Sequence, residues 1–278
     1  MWTRLDFLVN EAATAALFRG QATAQGLRKL LARLDTEYRI GLPSTFFGYG
    51  EDGAPDSQAV ITTSFGTTRN GLSITAIGAP ACEVLSERSG ALNAALMHAA
   101  QALIPMHVRS AEHTADFLPF AKRYYIGTLA VGKASPQSFW SQAVDAIKAG
   151  SSWMEQAPRK IPQTIARGMF FQARHLCELG DELEGNMSAM LSRSFADGVP
   201  WGETKMAFYE RLDVQLLSVA GHTYAPLHNR PHRLLLKGVE FTMKAQLEGP
   251  WFVGRLKGES QGLLVPSFKA VQALEEAA

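Results

Sequence analysis

Residues 4 to 9, Arg-Leu-Asp-Phe-Leu-Val, alternate polar and apolar side chains with period two, which predicts a short strand with one buried face. A helix is expected from about Glu11 to Asp35, with a break around Gly20 or Gly26. Residues 38 to 57 are rich in Gly and Pro and read as loop. Two runs, 58 to 68 and 72 to 79, read as strands around Arg-Asn-Gly, and Asn-Gly is a hairpin signal. Residues 89 to 103 form an apolar, alanine-rich run that predicts a further helix. Strand, helix, hairpin, helix is the order of a ferredoxin-like α+β unit.

A strand is expected again over residues 124 to 131, with a boundary near 132. From about Pro136 to Glu210 the pattern turns helical, interrupted at 150–152, 158–162 and 196–203. Strands then return over 214–219, 232–245, 250–258 and 262–268, the last two punctuated by glycines. The expected fold class is α+β: a ferredoxin-like domain over 1–131, then a C-terminal domain over 132–278. The second domain would hold a helical insertion (about 136–213), terminal β-hairpins and a small antiparallel sheet.

Composition narrows the function. No apolar run reaches the ~18 residues that cross a membrane, and the N-terminus lacks the pattern of a secretory signal. Two cysteines, Cys82 and Cys177, stand outside any C-x-x-C frame, which argues against a disulfide framework and fits a reducing cytoplasm. No G-x-S-x-G elbow, P-loop or dinucleotide fingerprint is present and no cofactor is expected, and the histidines at 221–233 have no Cys or carboxylate near them at zinc-ligand spacing, so no metal is expected. An α+β hydrolase or transferase using His and Ser on a small molecule is the reading this disfavours.

Net charge is only +1, but cations cluster locally. Five basic residues (Arg19, Arg28, Lys29, Arg33, Arg39) face two acids between 19 and 39. Arg230, Arg233 and Lys237 stand with three histidines and no acid between 219 and 239. Such patches attract phosphate even in a neutral chain. Residues 159 to 175, RKIPQTIARGMFFQARH, hold four basic residues and no acidic one. Pro162 suits the first turn of a helix. At 100° per residue, Ile165, Gly168, Met169, Gln172 and Leu176 share one face, and Lys160, Gln163, Arg167, Phe171 and Arg174 share another. The first set predicts a core face. The second is either a solvated face pairing with the acidic block at 178–185 or a surface that tracks RNA phosphates.

RKIPQTIAR (159–167) resembles a segment of the CRISPR repeat-processing endoribonucleases of the RAMP superfamily, the type I-F enzyme in particular. EYRIGLPS (37–44) is similar to that family's R-I-G segment, and GPWFVGRLKGESQGLLVPSF (249–268) to its glycine-punctuated terminal hairpin. The added helical sequence between about Phe170 and Asp213, and the absence of the family's arginine-rich helix from residues 136–150, fit a type IV repeat-processing subunit better. The resemblance implies cleavage of CRISPR precursor RNA by 2′-OH attack, leaving a 2′,3′-cyclic phosphate. It also implies that the protein stays on the guide RNA stem-loop within a multi-subunit effector complex, away from membranes.

The resemblance places Lys29 where the family carries a histidine, with Arg28 beside it, and Ser218 nearest the family's serine. Neither Lys29 nor Arg28 is a good base near neutral pH unless burial intervenes. A cation-dominated site is then expected, with Arg19, Arg28, Lys29, Arg39 and Arg255 orienting the scissile phosphate and Ser218 or His222 available for proton transfer. Lys160, Arg167, Phe171, Arg174, Arg230, Arg233, Arg255 and Lys257 are the expected RNA contacts. Residues 221–233 read as a polar loop that offers histidines for acid–base chemistry or phosphate contact. Phe46 and Phe47, beside glycines, would either stack an unpaired base or cover the core. The missing histidine leaves a non-catalytic RNA-binding scaffold as the alternative.

Overall fold

A computed structural model describes residues 1–18, 21–48, 62–68, 71–131, 157–178, 183–227, 230–254, 257 and 261–267. These fold as two compact units, one of the described residues up to His113 and one of those from Thr114 onward.

In the first unit, β1 (Trp2–Leu8) sends Leu5 and Phe7 into the core and leaves Arg4 and Asp6 on the opposite face. The expected long helix is two: α1 (Glu11–Leu17) and α2 (Ala24–Tyr38). Each starts on a side-chain cap, Asn10 accepting from the Ala13 N–H and Thr23 from the Gly26 N–H. Gly26 therefore lies inside α2 and does not break it. A 3-10 turn, Ser44–Phe47, follows, and buries Phe46 and Phe47 against Phe65. Those two rings cover the core and do not offer a base-stacking surface; Tyr49 and Gly50 lie outside the described residues. The hairpin β2 (Thr63–Thr68) and β3 (Gly71–Ile77) forms as the Asn-Gly signal predicts. α3 spans Ala79–Ala100, starting ten residues before the alanine-rich run, with a proline in its first turn. β4 (Met106–Ala111) closes an antiparallel sheet in the order β2-β3-β1-β4. This is the ferredoxin-like arrangement. The fourth strand is the one the pattern missed.

The second unit is built on β5 (His113–Val131) and β8 (Arg230–Glu248), long strands paired almost end to end. Residues 114–131 thus belong to the second unit, and the division falls earlier than the expected 131/132. Three helices, α4 (Ala157–Glu178), α5 (Asn186–Ala196) and α6 (Trp201–Leu212), occupy the expected helical segment, with the two-residue strand β6 (Leu183–Glu184) between α4 and α5. β7 (Gln215–Leu227) pairs with β8, and β9 (Leu264–Pro266) pairs with β5. The stretch read as a loop over 221–233 is largely strand, because β7 runs to Leu227 and β8 begins at Arg230. Asn186 fastens an irregularity in β5 between Phe117 and Lys122: its side-chain oxygen accepts from the Phe117 N–H, and its amide donates to the Phe117 carbonyl at 3.1 Å.

Candidate nucleic-acid interface

α2 carries the first cations. Arg28 is half-buried, and its Nη2 lies 3.6 Å from where a Cβ on Gly48 would stand. Gly48 has φ +73°, a left-handed conformation that favours glycine. Lys29 is exposed. Arg39 is also exposed and caps the C-terminus of α2 in the left-handed region, φ 53°. The turn after it is held by Asp35, whose Oδ1 accepts from the Gly41 N–H at 2.8 Å and the Leu42 N–H at 2.9 Å. Arg88 of α3 approaches the place of a Gly41 Cβ, its Cζ 4.0 Å away. Arginines from two different helices thus lie beside the glycines at 41 and 48. Sequence reasoning found Arg28 but not Arg88, which sits in an ordinary polar stretch of α3 without any local cationic run. Arg28 and Arg39 are not neighbours: eleven residues along a helix set them about 16 Å apart along the axis. Arg19 lies outside the described residues.

α4 is organised as its periodicity predicts. Ile165, Gly168, Met169, Gln172 and Leu176 are all buried. Pro162 is not in the first turn, however, but lies inside the helix, its sixth residue. Across the helix, Lys160 Nζ donates to Gln163 Oε1 at 3.4 Å, and the Arg167 guanidinium lies 5.5 Å from the centroid of the Phe171 ring. Lys160, Arg167 and Arg174 recur every seven residues, so they fall on one face with about 10 Å between successive positions. Arg174 is engaged twice, donating to Glu178 at 2.8 Å and lying 4.4 Å over the Trp201 ring. The pairing of a basic face with the acidic block at 178–185 therefore exists, at Arg174.

The buried face of α4 holds the glycine-punctuated segment. A Cβ on Gly168 would stand 2.8 Å from Val253 Cβ, and Gln172 accepts from the Phe252 N–H and donates to the Pro250 carbonyl, both at 2.9 Å. Gly254 has φ +79°, and a Cβ there would stand 2.7 Å from the Ala130 carbonyl oxygen, so only glycine fits. The Gly262 N–H donates to Thr128 and the Val253 N–H to Gly262. Lys257 follows, and burial pushes its pKa down from the usual lysine value. Arg255 is outside the described residues.

Ser218 is exposed on β7, opposite Glu240 of β8, which accepts from Arg123 at 3.1 Å. His222 is exposed four residues further along β7, about 13 Å at strand spacing, beyond the left-handed Gly238 of the partner strand. The two do not form a pair. Arg230 and Arg233 enter as backbone of β8. Among the described residues, no three of His, Cys, Asp and Glu gather as a metal-binding group, and no helix is long and apolar enough to cross a membrane.

The structure is similar to that of "Csf5, CRISPR-Cas type IV Cas6 crRNA endonuclease", at 13% identity and a TM-score of 0.53, covering 96% of this chain and 99% of that one. A crystal structure of Cas6b aligns over 96% of this chain and 100% of its own, at 9% identity and a TM-score of 0.49. No curated protein sequence matches. The first likeness supports the fold class, α+β on a ferredoxin-like base. Sequence supplies the family: the model of the type IV CRISPR-associated endonuclease Csf5 matches residues 17–268, and the chain belongs to that family. The protein is thereby a CRISPR-associated endonuclease, and all three motifs that carried the resemblance lie within the matched residues.

Proposed function

We propose that the protein cuts CRISPR precursor RNA within the repeat hairpin, without a metal ion, and remains on the matured guide RNA as a subunit of an effector complex. The 2′-oxygen attacks the adjacent phosphorus, the bond to the 5′-oxygen breaks, and the products are a 2′,3′-cyclic phosphate and a 5′-hydroxyl. A proton leaves the 2′-oxygen and one is delivered to the 5′-oxygen. Membership of the endonuclease family over residues 17–268 carries the reading. The arginines add the physical reason: fixed guanidinium groups stabilise the charge that accumulates on the phosphorane.

Arg19, Arg28, Lys29, Arg39 and Arg255 are the candidate cations for the RNA phosphates, and Ser218 or His222 the candidate for proton transfer. Lys160, Arg167, Phe171, Arg174, Arg230, Arg233 and Lys257 hold the RNA. A site dominated by arginine transfers protons poorly, so turnover is slow, which suits an enzyme that keeps its product. Incubating the pure protein with a repeat transcript in EDTA tests the reading. We expect one discrete cut, with a 5′ fragment whose 3′-terminal phosphate resists phosphatase until acid opens the cyclic ester. Tight binding with intact RNA would instead identify a scaffold.

A further inference from the structure

The helical segment of the second unit presents aromatic rings to solvent beside arginines, and phosphate contact alone does not account for them. Phe195, in the last turn of α5, is 69% exposed, and Phe171 on α4 is 40% exposed. They are joined by a continuous row of rings. Phe195 lies 6.3 Å from Trp201, Trp201 lies 6.1 Å from Phe170, and Phe170 lies 5.8 Å from Phe171, centroid to centroid. Phe170 is fully buried and packs edge-on against Phe208, so the row is seated on the core. Two guanidinium groups already lie on its faces, Arg174 over Trp201 and Arg167 over Phe171. Arg167 is exposed and makes no salt bridge to a carboxylate among the described residues.

From this geometry we propose that the exposed rings Phe171 and Phe195, joined through Phe170 and Trp201, form a stacking platform for unpaired bases of the bound RNA. Nucleobases have flat apolar faces that stack on aromatic rings, and the phosphates between them are matched by the flanking guanidinium groups. Every base has such a face, so the platform tolerates sequence while selecting for single-stranded chain. A protein partner is the competing occupant, since aromatics and arginine also populate protein interfaces. Lys160 and Arg167, spaced along the same face of α4, continue the cationic track away from the rings and favour the polyanion. The inference rests on the RNA-binding reading above and adds what that reading lacks, a place for nucleotides outside the hairpin stem.

The test compares two RNA probes on the full-length protein: a short oligouridylate and a fully paired RNA hairpin of similar length. Phe195→Ala changes a ring that is mostly in solvent, and an unchanged melting temperature checks that the variant folds. It should weaken oligouridylate binding about tenfold, leave the hairpin unaffected, and keep the slope of log Kd against log salt, because no phosphate contact is removed. Phe195→Trp should restore affinity, and 2-aminopurine placed in the oligonucleotide should be quenched by the wild type and not by Phe195→Ala. Unchanged oligouridylate affinity in Phe195→Ala would overturn the platform, as would equal losses for both probes. Loss of a protein partner at unchanged RNA affinity would overturn it in favour of a protein contact. A wild type that binds neither probe would sink the RNA reading itself, which is a separate result.

Discussion

Arg28 and Arg88 reach the backbone around residues 41–48 from two different helices, and both do so at a glycine with positive φ. Only Arg28 belongs to a local cluster of cations, so only Arg28 was legible before the fold was known. The left-handed Arg39 illustrates the converse. Its identity marked a cation, but its backbone role as the cap of α2 follows from the Asp35 carboxylate gathering the next two N–H groups. If Arg28 stabilises the transition state, Arg28→Ala should lower single-turnover cleavage by about 100-fold while repeat-RNA affinity falls by much less. An equal loss of affinity would make it a positioning contact to phosphate instead.

Among the elements, α4 was the most readable. Its 3.6-residue period sorted Ile165, Met169 and Leu176 inward and Arg167 outward, and packing agrees. The pattern also placed Gln172 on the buried face, though not its task, which depends on a partner eighty residues away. Gln172→Ala would leave the Phe252 N–H and the Pro250 carbonyl without their bonds, and we expect a loss of about 2 kcal/mol in denaturant unfolding. Gln172→Glu, which keeps an acceptor for Phe252 but no donor for Pro250, should fall in between if the carboxyl is tolerated. β4 was illegible for a physical reason. It is an edge strand exposed over most of its length, so Met106–Ala111 carries no alternation of buried and solvated positions. The outer part of the β7–β8 hairpin was read as loop because of the prolines and histidines near its tip, whereas pairing extends to Leu227 and Arg230.

At the scale of the molecule, the balance of charge conceals strong local pairing. Burial works against the charge of Asp6, but hydrogen bonds from Arg109 at 2.6 Å and Arg4 at 2.8 Å outweigh it and hold the carboxyl below its usual value. Asp213 is lowered likewise, chiefly by Lys244 and then by Gln215. A carboxylate depressed in the folded state adds stability that is complete above its unfolded pKa, about 4, and vanishes as pH falls through the lower folded value. The contribution of these two pairs should therefore be level from pH 7 to 5 and decline below 4. Asp6→Asn should flatten that acid limb in urea titrations without shifting its onset upward.

The pairing of β9 with β5 has a consequence for biogenesis. β5 emerges from the ribosome long before Leu264, with an interval on the order of ten seconds at ordinary elongation rates. Until then, the edge of β5 at Tyr124–Ile126 has no strand beside it, and the pocket against Gly168 and Gln172 is unfilled. A nascent chain in that condition exposes an unpaired strand edge, the kind of surface that chaperones cover until the last strand docks.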